Sequence, residues 1–333
     1  MKIKESKTIR FHEIGSADLL KIETLPIVEP KESEVRIKVE ALGINRAEVM
    51  LREGQYLENP VFPSRLGYEA SGIVDAIGVK VTSVKVGDRV STIPNFSMVS
   101  YGVYGESAIV PEAAVAKYPE NLSPQEGTAI WMAYLTAYGA IVEIGKVIPN
   151  DYVLITASSS SVGLAAIQIA KAEGSTVIAT TRGHNKKQFL LDAGADHVII
   201  TNDENIEERV SSITNGNGAN LIFDPIGGSL LEKLAETASV GGTIIEYGSL
   251  SPDPTPYPLF IALKKGLIIK GYTLFEITTY TEKLKRGKEY LFDKLKNDEL
   301  KPIIDKIFSL DEIVDAHKYM ESNQQKGKIV VSV

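Results

Sequence analysis

The stretch that decides the fold is YVLITASSSSVGLAAIQIAKAEGSTVIATTR, residues 152–182. Residues 152–156 are an apolar run with the length of a buried strand, and a serine-rich turn follows them. The next residues are apolar except at Gln168 and Lys171, a pattern typical of a helix with one polar edge. Residues 176–180 are β-branched and apolar, as in a second buried strand. Strand, turn, helix and strand within about 30 residues predict a βαβ unit with a right-handed crossover.

The turn of this unit reads ASSSSVG from Ala157 to Gly163. A dinucleotide fingerprint has the form GxGxxG, or AxxGxxG in some families, and here only the last glycine is present. Ser160 stands at the middle glycine position, where a small side chain still permits a close approach of pyrophosphate. A turn that opens a helix offers backbone N–H groups to phosphate oxygens. We therefore predict a pyrophosphate site here, with an ordinary βα turn as the alternative.

The end of the second strand indicates which dinucleotide is bound. A site selective for NAD has Asp or Glu about 20 residues after the turn to hold the ribose 2′-hydroxyl. Residues 180–187 read TTRGHNKK instead, and the next carboxylate is Asp192. Arg182, Lys186 and Lys187, which follow Thr181, suit a 2′-phosphate, which an Asp would repel. We predict NADPH as the cofactor; a solvated helix start is the alternative explanation of these cations.

Composition excludes several classes of protein. The chain has 333 residues, 44% of them hydrophobic, a formal net charge of −7 and no cysteine. The negative charge argues against nucleic-acid binding, and the absence of cysteine excludes disulfides, thiolate nucleophiles and zinc sites with sulfur ligands. MKIKESKTIRF lacks the apolar core of a signal peptide, and the longest uncharged run, residues 127–142, falls short of the roughly 20 residues that span a bilayer. We expect a soluble cytoplasmic protein of about two domains.

The rest of the chain is predicted to be β-rich at first and then α/β. Residues 35–40, VRIKVE, alternate as in a half-exposed strand, and NLSPQ at 121–125 is typical of a helix start. Six short apolar runs then predict a doubly wound parallel sheet, which binds ligands at the carboxyl ends of its strands. The runs are residues 152–156, 176–180, 197–201, 221–224, 242–247 and 267–271.

The last part of the chain is predicted to return to the first domain. A charged helix begins near residue 278, a strand-like segment covers 303–321, and GKIVVSV forms a final strand. The expected domains are residues 1–126, a first β-rich part, residues 127–275, the dinucleotide-binding part, and residues 276–333, the C-terminal helix and the return.

Several fragments in this order resemble one family, the zinc-independent branch of the medium-chain dehydrogenases/reductases that includes NADPH:quinone oxidoreductases and enone reductases. The resemblance implies an α/β protein: a GroES-like β-rich catalytic domain with an inserted doubly wound, Rossmann-type sheet. It also implies a homodimer formed by pairing of the sixth strands, residues 267–271. The matching fragments are GINRAEVMLREGQY (43–56), LGYEASGIVDAIG (66–78), VGDRV (86–90), YGVYGESAIV (101–110), LTAYGA (135–140), VGLAAIQIAK (162–171), FDPIGG (223–228), YGSLS (247–251) and GKIVVSV (327–333).

Zinc members of this family bind the metal through a cysteine and a histidine in a GHE-like motif. Here that motif reads GYE, with Tyr68 in place of the histidine, and the four histidines of the chain are scattered. We therefore predict no metal site and expect Glu69 to have a structural role.

The resemblance also implies the residues of the site. Asn45 and Tyr56 stand at the positions that flank nicotinamide and substrate. Asn45 is expected to donate its amide to a carbonyl oxygen or a ribose hydroxyl, and Tyr56 its phenol proton to a quinone or enone oxygen. The alternatives are a turn-stabilising Asn45 and a Tyr56 that only lines the site. The implied cofactor contacts are Asn45, Thr136, Ser160, Ser161, Val162, Gly248, Ser249, Leu250, Phe275, Asn323 and Lys328.

These observations predict an NADPH-dependent reductase of quinones or α,β-unsaturated carbonyls that acts on small molecules without a metal. The main alternative is an NADPH-binding regulatory or structural protein with little turnover. An alcohol dehydrogenase in name only, without its zinc ligands, is a further alternative.

Overall fold

The computed structural model describes residues 4–333, which divide into two compact units. The first unit comprises the chain up to Met132 and again from Lys301 to Val333, and the second comprises Ala133–Leu300. Residues 127–132 thus lie in the first unit and residues 276–300 in the second.

The strands of residues 4–333 are β1 (Glu5–Arg10), β2 (Lys21–Pro26), β3 (Glu34–Ile44), β4 (Glu69–Ile77), β5 (Arg89–Thr92), β6 (Ser107–Pro111), β7 (Val115–Ala116), β8 (Tyr152–Ile155), β9 (Thr176–Thr181), β10 (His197–Ile200), β11 (Ala219–Asp224), β12 (Ala238–Glu246), β13 (Ile268–Gly271), β14 (Ile304–Ser309) and β15 (Lys328–Ser332). The α-helices are α1 (Arg46–Arg52), α2 (Met98–Tyr101), α3 (Pro124–Gly127), α4 (Trp131–Tyr138), α5 (Ser161–Ala172), α6 (Lys187–Asp192), α7 (Ile206–Ile213), α8 (Leu230–Thr237), α9 (Leu259–Lys265), α10 (Phe275–Thr278), α11 (Thr281–Lys296) and α12 (Ile313–Glu321).

The first unit is built around β3, the longest strand of this sheet. β3 pairs antiparallel with β4, β6 and β15, and the sheet runs in the order β14-β15-β3-β4-β5-β7. Because β3 has neighbours on both sides, its alternating sequence is more buried than a half-exposed strand would be. Arg36 is the clearest case: its guanidinium is buried, and its Nε donates to Asp75 at 2.8 Å. The ion pair satisfies a charge that burial would otherwise disfavour.

The C-terminal segment differs from its prediction in one part. Residues 304–309 form a strand, β14, but residues 313–321 form the helix α12, so the prediction of a strand-like segment through 321 is wrong there. Ile313, Ala316 and Met320 recur at a spacing of three or four and are buried on one face. That period is the helical one, which the apolar start of the segment obscured.

The second unit contains a six-stranded sheet in which every strand is parallel to its neighbours, in the order β10-β9-β8-β11-β12-β13. Renumbered from β8, this order is 3-2-1-4-5-6, the doubly wound arrangement that the sequence predicts. Leu154, Ile178, Ile199, Ile222 and Ile244 come from five neighbouring strands and form one buried cluster with α7 and α8. The predicted fold class is confirmed.

The largely apolar stretch 127–144, which follows the predicted helix start at 121–125, does not form one continuous α-helix. It consists of the end of α3, then α4, and then one π-helical segment over Gly139–Ile144. Ser123 begins α3 with a capping box, because its backbone N–H donates to Glu126 at 2.8 Å and its hydroxyl oxygen accepts from the Glu126 N–H. Among residues 4–333, no helix combines the length and apolarity needed to cross a lipid bilayer.

Candidate dinucleotide site and phenol pair

The serine-rich turn lies between β8 and α5, at the carboxyl edge of the parallel sheet. Ala157 adopts a left-handed conformation with φ of 46°, and the turn closes by a bond from the Ser160 N–H to the Ala157 carbonyl at 3.0 Å. Ser160 caps α5, because its hydroxyl oxygen accepts from the Gly163 N–H at 3.0 Å. A Cβ on Gly163 would lie 2.7 Å from the Ser158 Cα and carbonyl oxygen. The helix can therefore start this close to the turn only with glycine at position 163.

The N-terminus of α5 presents backbone donors that the protein does not use. Within residues 4–333, the N–H groups of Ser161 and Val162 have no hydrogen-bond acceptor. Helix α5 has 12 residues, so its dipole places partial positive charge at the same point. These donors fit the oxygens of a pyrophosphate, as the sequence predicts for this turn.

Two cations stand beside the turn at the end of β9. The Lys186 ammonium reaches over the turn and donates to the Ser159 hydroxyl at 2.9 Å. Arg182 is exposed, and its guanidinium has no ion-pair or hydrogen-bond partner within the described chain. Thr181, the last residue of β9, is buried and receives a bond from the Thr201 hydroxyl to its carbonyl at 3.3 Å. The sheet therefore brings the predicted 2′-phosphate cations to the same edge as the pyrophosphate turn.

Tyr247 contacts this turn, which the sequence prediction did not include. Its ring stacks on Phe223, with ring centroids 4.0 Å apart and planes at 17°, and its hydroxyl faces Ser160. Burial raises the pKa of Tyr247, so the phenol stays protonated. The Ser160 hydroxyl oxygen accepts the capping bond from Gly163, and the backbone N–H groups of Ser161 and Val162 remain to hold a phosphate.

The loop after β12 carries the predicted contacts Gly248, Ser249 and Leu250, all exposed. Its position is set by hydrogen bonds to the loop after β11: the Leu250 N–H donates to the Pro225 carbonyl at 3.0 Å. Thr136 is buried in α4, and Phe275 begins α10 half-buried. All five residues belong to the same unit as the turn.

Two acidic side chains meet at the ends of β11 and β12, and sequence reasoning missed them. Asp224 and Glu246 are paired in register, and the Thr156 hydroxyl and the Gly227 N–H, at 2.7 Å, donate to Asp224. Burial raises the pKa of Glu246, and the charge of Asp224 raises it further. No signal in the sequence distinguishes Glu246 from an ordinary strand-end carboxylate.

In the first unit, Tyr56 contacts a second phenol. Its hydroxyl donates to the Tyr68 hydroxyl at 3.3 Å, and the rings meet edge to face with centroids 6.3 Å apart. Tyr56 is half-buried in the loop after α1, and Tyr68 lies buried just before β4. Burial raises the pKa of Tyr56 to about 12.

Asn45 lies in a buried polar cluster, which we call the Lys328 cluster: Asn45, Glu48, Glu69 and Lys328. The Lys328 ammonium donates to Glu69 and, at 2.6 Å, to the Asn45 side-chain oxygen. The Asn45 amide donates to Glu69 at 3.1 Å, and the Asn45 backbone N–H donates to Glu48 at 2.8 Å. Burial raises the pKa of Glu48 to about 7, against the opposing charge of Lys328.

This cluster bears on three predicted residues. Glu69 has partners within the protein, including the Met132 N–H at 2.8 Å, in agreement with a structural role. The Asn45 side chain is engaged at both ends, which favours the stabilising alternative over donation to a substrate. Lys328 is 1% exposed and paired, a geometry that does not support its predicted contact with a cofactor. The spacing from Asn45 to Glu48 is that of a capping box and was the available signal for Glu48.

Asn323 lies in the first unit, whereas the dinucleotide turn belongs to the second. It is exposed, adopts a left-handed conformation with φ of 57°, and its side-chain oxygen accepts from Arg46. Within its unit, Asn323 follows α12 and contacts Arg46 of α1.

Comparison with known proteins identifies the family. The family model for the alcohol dehydrogenase GroES-like domain matches residues 31–120, and that for zinc-binding dehydrogenase matches residues 161–289. Human quinone oxidoreductase is 30% identical, over 98% of this chain and 98% of its own length. The chain belongs to the zinc-independent, quinone oxidoreductase-like branch of the medium-chain dehydrogenases/reductases. The resemblance drawn from its fragments is confirmed.

Two further relatives also match nearly the whole length of this chain. The quinone oxidoreductase of Salmonella typhimurium is 31% identical, over 96% of this chain and 97% of its own length. The structure of Escherichia coli quinone oxidoreductase complexed with NADPH has a TM-score of 0.89 at 28% identity, and covers 98% of this chain and 100% of that one. The fold of this family member is therefore the predicted GroES-like and Rossmann-type pair of domains. Within residues 4–333, His, Cys, Asp and Glu side chains form no group of three or more that could hold a metal ion.

Proposed function

We propose that this protein is an NADPH-dependent oxidoreductase that reduces quinones or α,β-unsaturated carbonyls without a metal. One observation carries the proposal: the unused N–H groups of Ser161 and Val162 at the start of α5, with Lys186 and Arg182 beside them. The family relationship supports the class of reaction, since the human and Salmonella relatives are quinone oxidoreductases and the Escherichia coli structure contains NADPH.

The preference for NADPH follows from charge at the end of β9. An unpaired guanidinium at Arg182 and the ammonium of Lys186 attract a dianionic 2′-phosphate, while an NAD-selective site would have a carboxylate near this position. Asp192, the first carboxylate after β9, lies at the end of α6 instead. The ribose of NADH would leave Arg182 without an anion to bind.

The reduced nicotinamide supplies a hydride when the cofactor is bound. Negative charge then develops on the oxygen of the quinone or enone, and the protein must stabilise it through hydrogen-bond donors. Tyr56 is the proposed donor, because its phenol is half-buried and protonated at neutral pH. We assign Asn45 to the support of α1 and of Glu69 rather than to the acceptor.

The first prediction tests the cofactor site. Arg182→Ala should weaken NADPH binding by roughly 1–3 kcal/mol, because a charge-assisted contact to the 2′-phosphate is lost, and should leave NADH binding nearly unchanged. Calorimetric titration of the purified protein with each dinucleotide measures both affinities. Lys285→Ala, which removes an exposed cation of α11, is the matched control and should change neither.

The same preparation tests the reaction. Oxidation of NADPH with a panel of small quinones and enones should proceed and should be insensitive to chelators. Equal losses of both dinucleotides in Arg182→Ala would contradict the proposed selectivity. Tight NADPH binding without turnover on any acceptor would instead favour an NADPH-binding protein with a regulatory or structural role.

The homodimer and the cytoplasmic location remain predictions. The edge strand β13 supports the first, because Ile268 is 57% exposed there and the nearby helix α9 exposes Phe260 and Leu263. An unpaired apolar strand edge is a surface that proteins usually cover.

A further inference from the structure

The phenol pair joins Tyr56, which lies in a loop, to Tyr68, whose backbone is held on both sides. Tyr56 belongs to a loop that follows α1 and the left-handed Gly54, with φ of 71°. Tyr68 is held by both sides of its backbone: its N–H donates to Glu48 at 3.0 Å and its carbonyl accepts from the Thr92 hydroxyl at 2.7 Å. The Tyr68 hydroxyl therefore has a defined position, against which the Tyr56 hydroxyl is placed at 3.3 Å.

Packing restricts the Tyr68 ring as well. The ring is 1% exposed and lies tilted against Phe96, with centroids 5.6 Å apart. Tyr56 meets it edge to face from the loop. A hydroxyl on a ring held in this way loses little further freedom when it forms a hydrogen bond, so it can orient a partner effectively.

The Tyr56 phenol is more acidic than the Tyr68 phenol. Burial raises the pKa of both, that of Tyr56 to about 12 and that of Tyr68 higher still. Tyr56 therefore gives up its proton first, while Tyr68 remains a donor. Glu48 from α1 and Glu58 from the following loop both oppose a charged Tyr56, and the hydrogen bond from Tyr68 is the contact that favours it.

We propose that Tyr68 is a positioning residue that orients Tyr56 and donates a hydrogen bond to its oxygen when Tyr56 releases a proton to the acceptor. The inference rests on the proposed function. In the step, the acceptor gains a hydride from reduced nicotinamide and a proton from Tyr56, whose O–H bond breaks. Tyr68 turns its own O–H towards the Tyr56 phenolate, and a water molecule then restores the Tyr56 proton.

The second prediction is that Tyr68→Phe, which keeps the ring and removes the hydroxyl, lowers kcat with a quinone about tenfold. The KM for NADPH should not change while kcat falls, because Tyr56 loses the hydroxyl that donates to its oxygen as the proton leaves. Steady-state kinetics from pH 6 to 10 measure these quantities. Tyr101→Phe is the matched control, because the Tyr101 hydroxyl donates to Glu34 at 3.0 Å and lies outside the pair.

A double variant separates positioning from packing. In Tyr56→Phe the hydroxyl of Tyr68 has no phenol to act on, so adding Tyr68→Phe should cause no further loss of kcat. A tenfold loss in both backgrounds would overturn the inference, as would an unchanged kcat in Tyr68→Phe.

A readout without turnover distinguishes the two proposals. Replacing Tyr56 by 3,5-difluorotyrosine lowers the pKa of its phenol, so that ¹⁹F NMR can follow its titration at alkaline pH in the absence of acceptor. Tyr68→Phe should raise this midpoint by about one pH unit. A shifted midpoint in a protein that reduces no acceptor would retain the phenol coupling and reject the proposed function; an unshifted midpoint in an active enzyme would reject the role of Tyr68 alone.

Discussion

Lys328 shows how a single buried charge can be retained in a protein interior. Its ammonium is 1% exposed, and Glu69 and Asn45 surround it with acceptors. Taking an ammonium and a carboxylate out of water is costly, and their attraction offsets this cost only when every remaining hydrogen-bonding atom has a partner. Glu69 meets that condition through the Met132 N–H and the Asn45 amide.

The third prediction concerns this ion pair. Lys328→Met should lower the free energy of unfolding by about 3–5 kcal/mol, because it leaves the Glu69 carboxylate buried without its cation. Urea unfolding at pH 7.5, followed by circular dichroism, measures the change. Lys31→Met is the matched control, since the Lys31 side chain is 84% exposed, and should have little effect.

Removing both charges should recover much of that loss. The double variant Glu69→Gln with Lys328→Met contains no unpaired charge, so it should be more stable than Lys328→Met alone. If the double variant is instead less stable than either single variant, the pair contributes net stabilisation and our account of its energetics is wrong.

For individual side chains, the sequence could identify candidate residues of the site but not the hydrogen-bond partners of those residues. Ser160, Arg182 and Lys186 were predicted at the turn, and the structure brings them to one edge of the sheet. Lys328 and Asn45 were predicted to touch the cofactor, and the structure pairs them with each other. A residue type shows which bonds a side chain can form, but only the tertiary packing decides whether a ligand or the protein supplies the partner.

The junction between the strand β8 and the helix α5 depends on Gly163. A Cβ there would lie 2.7 Å from backbone atoms of Ser158, which cannot swing aside as a side chain can. Any larger residue must move the first turn of α5 away from the strand. That movement would displace the N–H groups of Ser161 and Val162 from their common direction.

The fourth prediction follows from this contact. Gly163→Ala should lower stability by roughly 1–3 kcal/mol and weaken NADPH binding by more than tenfold, because strain at the turn is relieved by displacing the phosphate donors. Thermal unfolding and calorimetric titration measure the two effects. In Gly271→Ala the added methyl group meets no atom within 4 Å, so this control should alter neither; wild-type NADPH affinity in Gly163→Ala would disprove the requirement.

Regular elements were predictable where one local period dominated. The six parallel strands are short apolar runs bounded by turn residues, and each overlaps its predicted run, although β11 and β12 begin before it and β9 ends one residue after it. The helix α12 was obscured because the apolar residues of β14 precede it without a glycine or proline between them. The antiparallel pair β1 and β2 was not assigned, since its ladder depends on pairing across the loop rather than on a strong local pattern.

Over the whole molecule, buried titratable groups impose opposite pH dependences. Burial lowers the pKa of His317 to about 3, so below pH 6.5 the unfolded chain gains a proton that the folded one does not bind, and stability falls. Burial raises the pKa of Glu48 to about 7, so the folded chain keeps a proton that the unfolded one loses above about pH 4.5, and stability falls as pH rises from there to 7.

The fifth prediction concerns the loss of folding stability at acidic pH. His317 is fully buried beside Arg52, whose charge also disfavours its protonation, and its ring meets Tyr104 edge to face. His317→Phe should reduce the loss of stability between pH 7 and pH 4 by roughly 2–3 kcal/mol, because Phe binds no proton in either state. Denaturant unfolding at both pH values measures the difference.

A His317→Phe protein that loses as much stability on acidification as the wild type would show that other groups cause the loss of stability at low pH.

The strand β15 lies between β3 and β14, so the central sheet of the first unit contains residues from both ends of the described chain. During translation, the second unit leaves the ribosome complete while the first still lacks two of its strands. Until those last residues emerge, one edge of β3 has exposed N–H and C=O groups along Ala41–Ile44. The nascent first unit therefore has an unpaired strand edge until β15 is synthesised. A chaperone or the ribosome surface has more reason to shield β3 than the second unit.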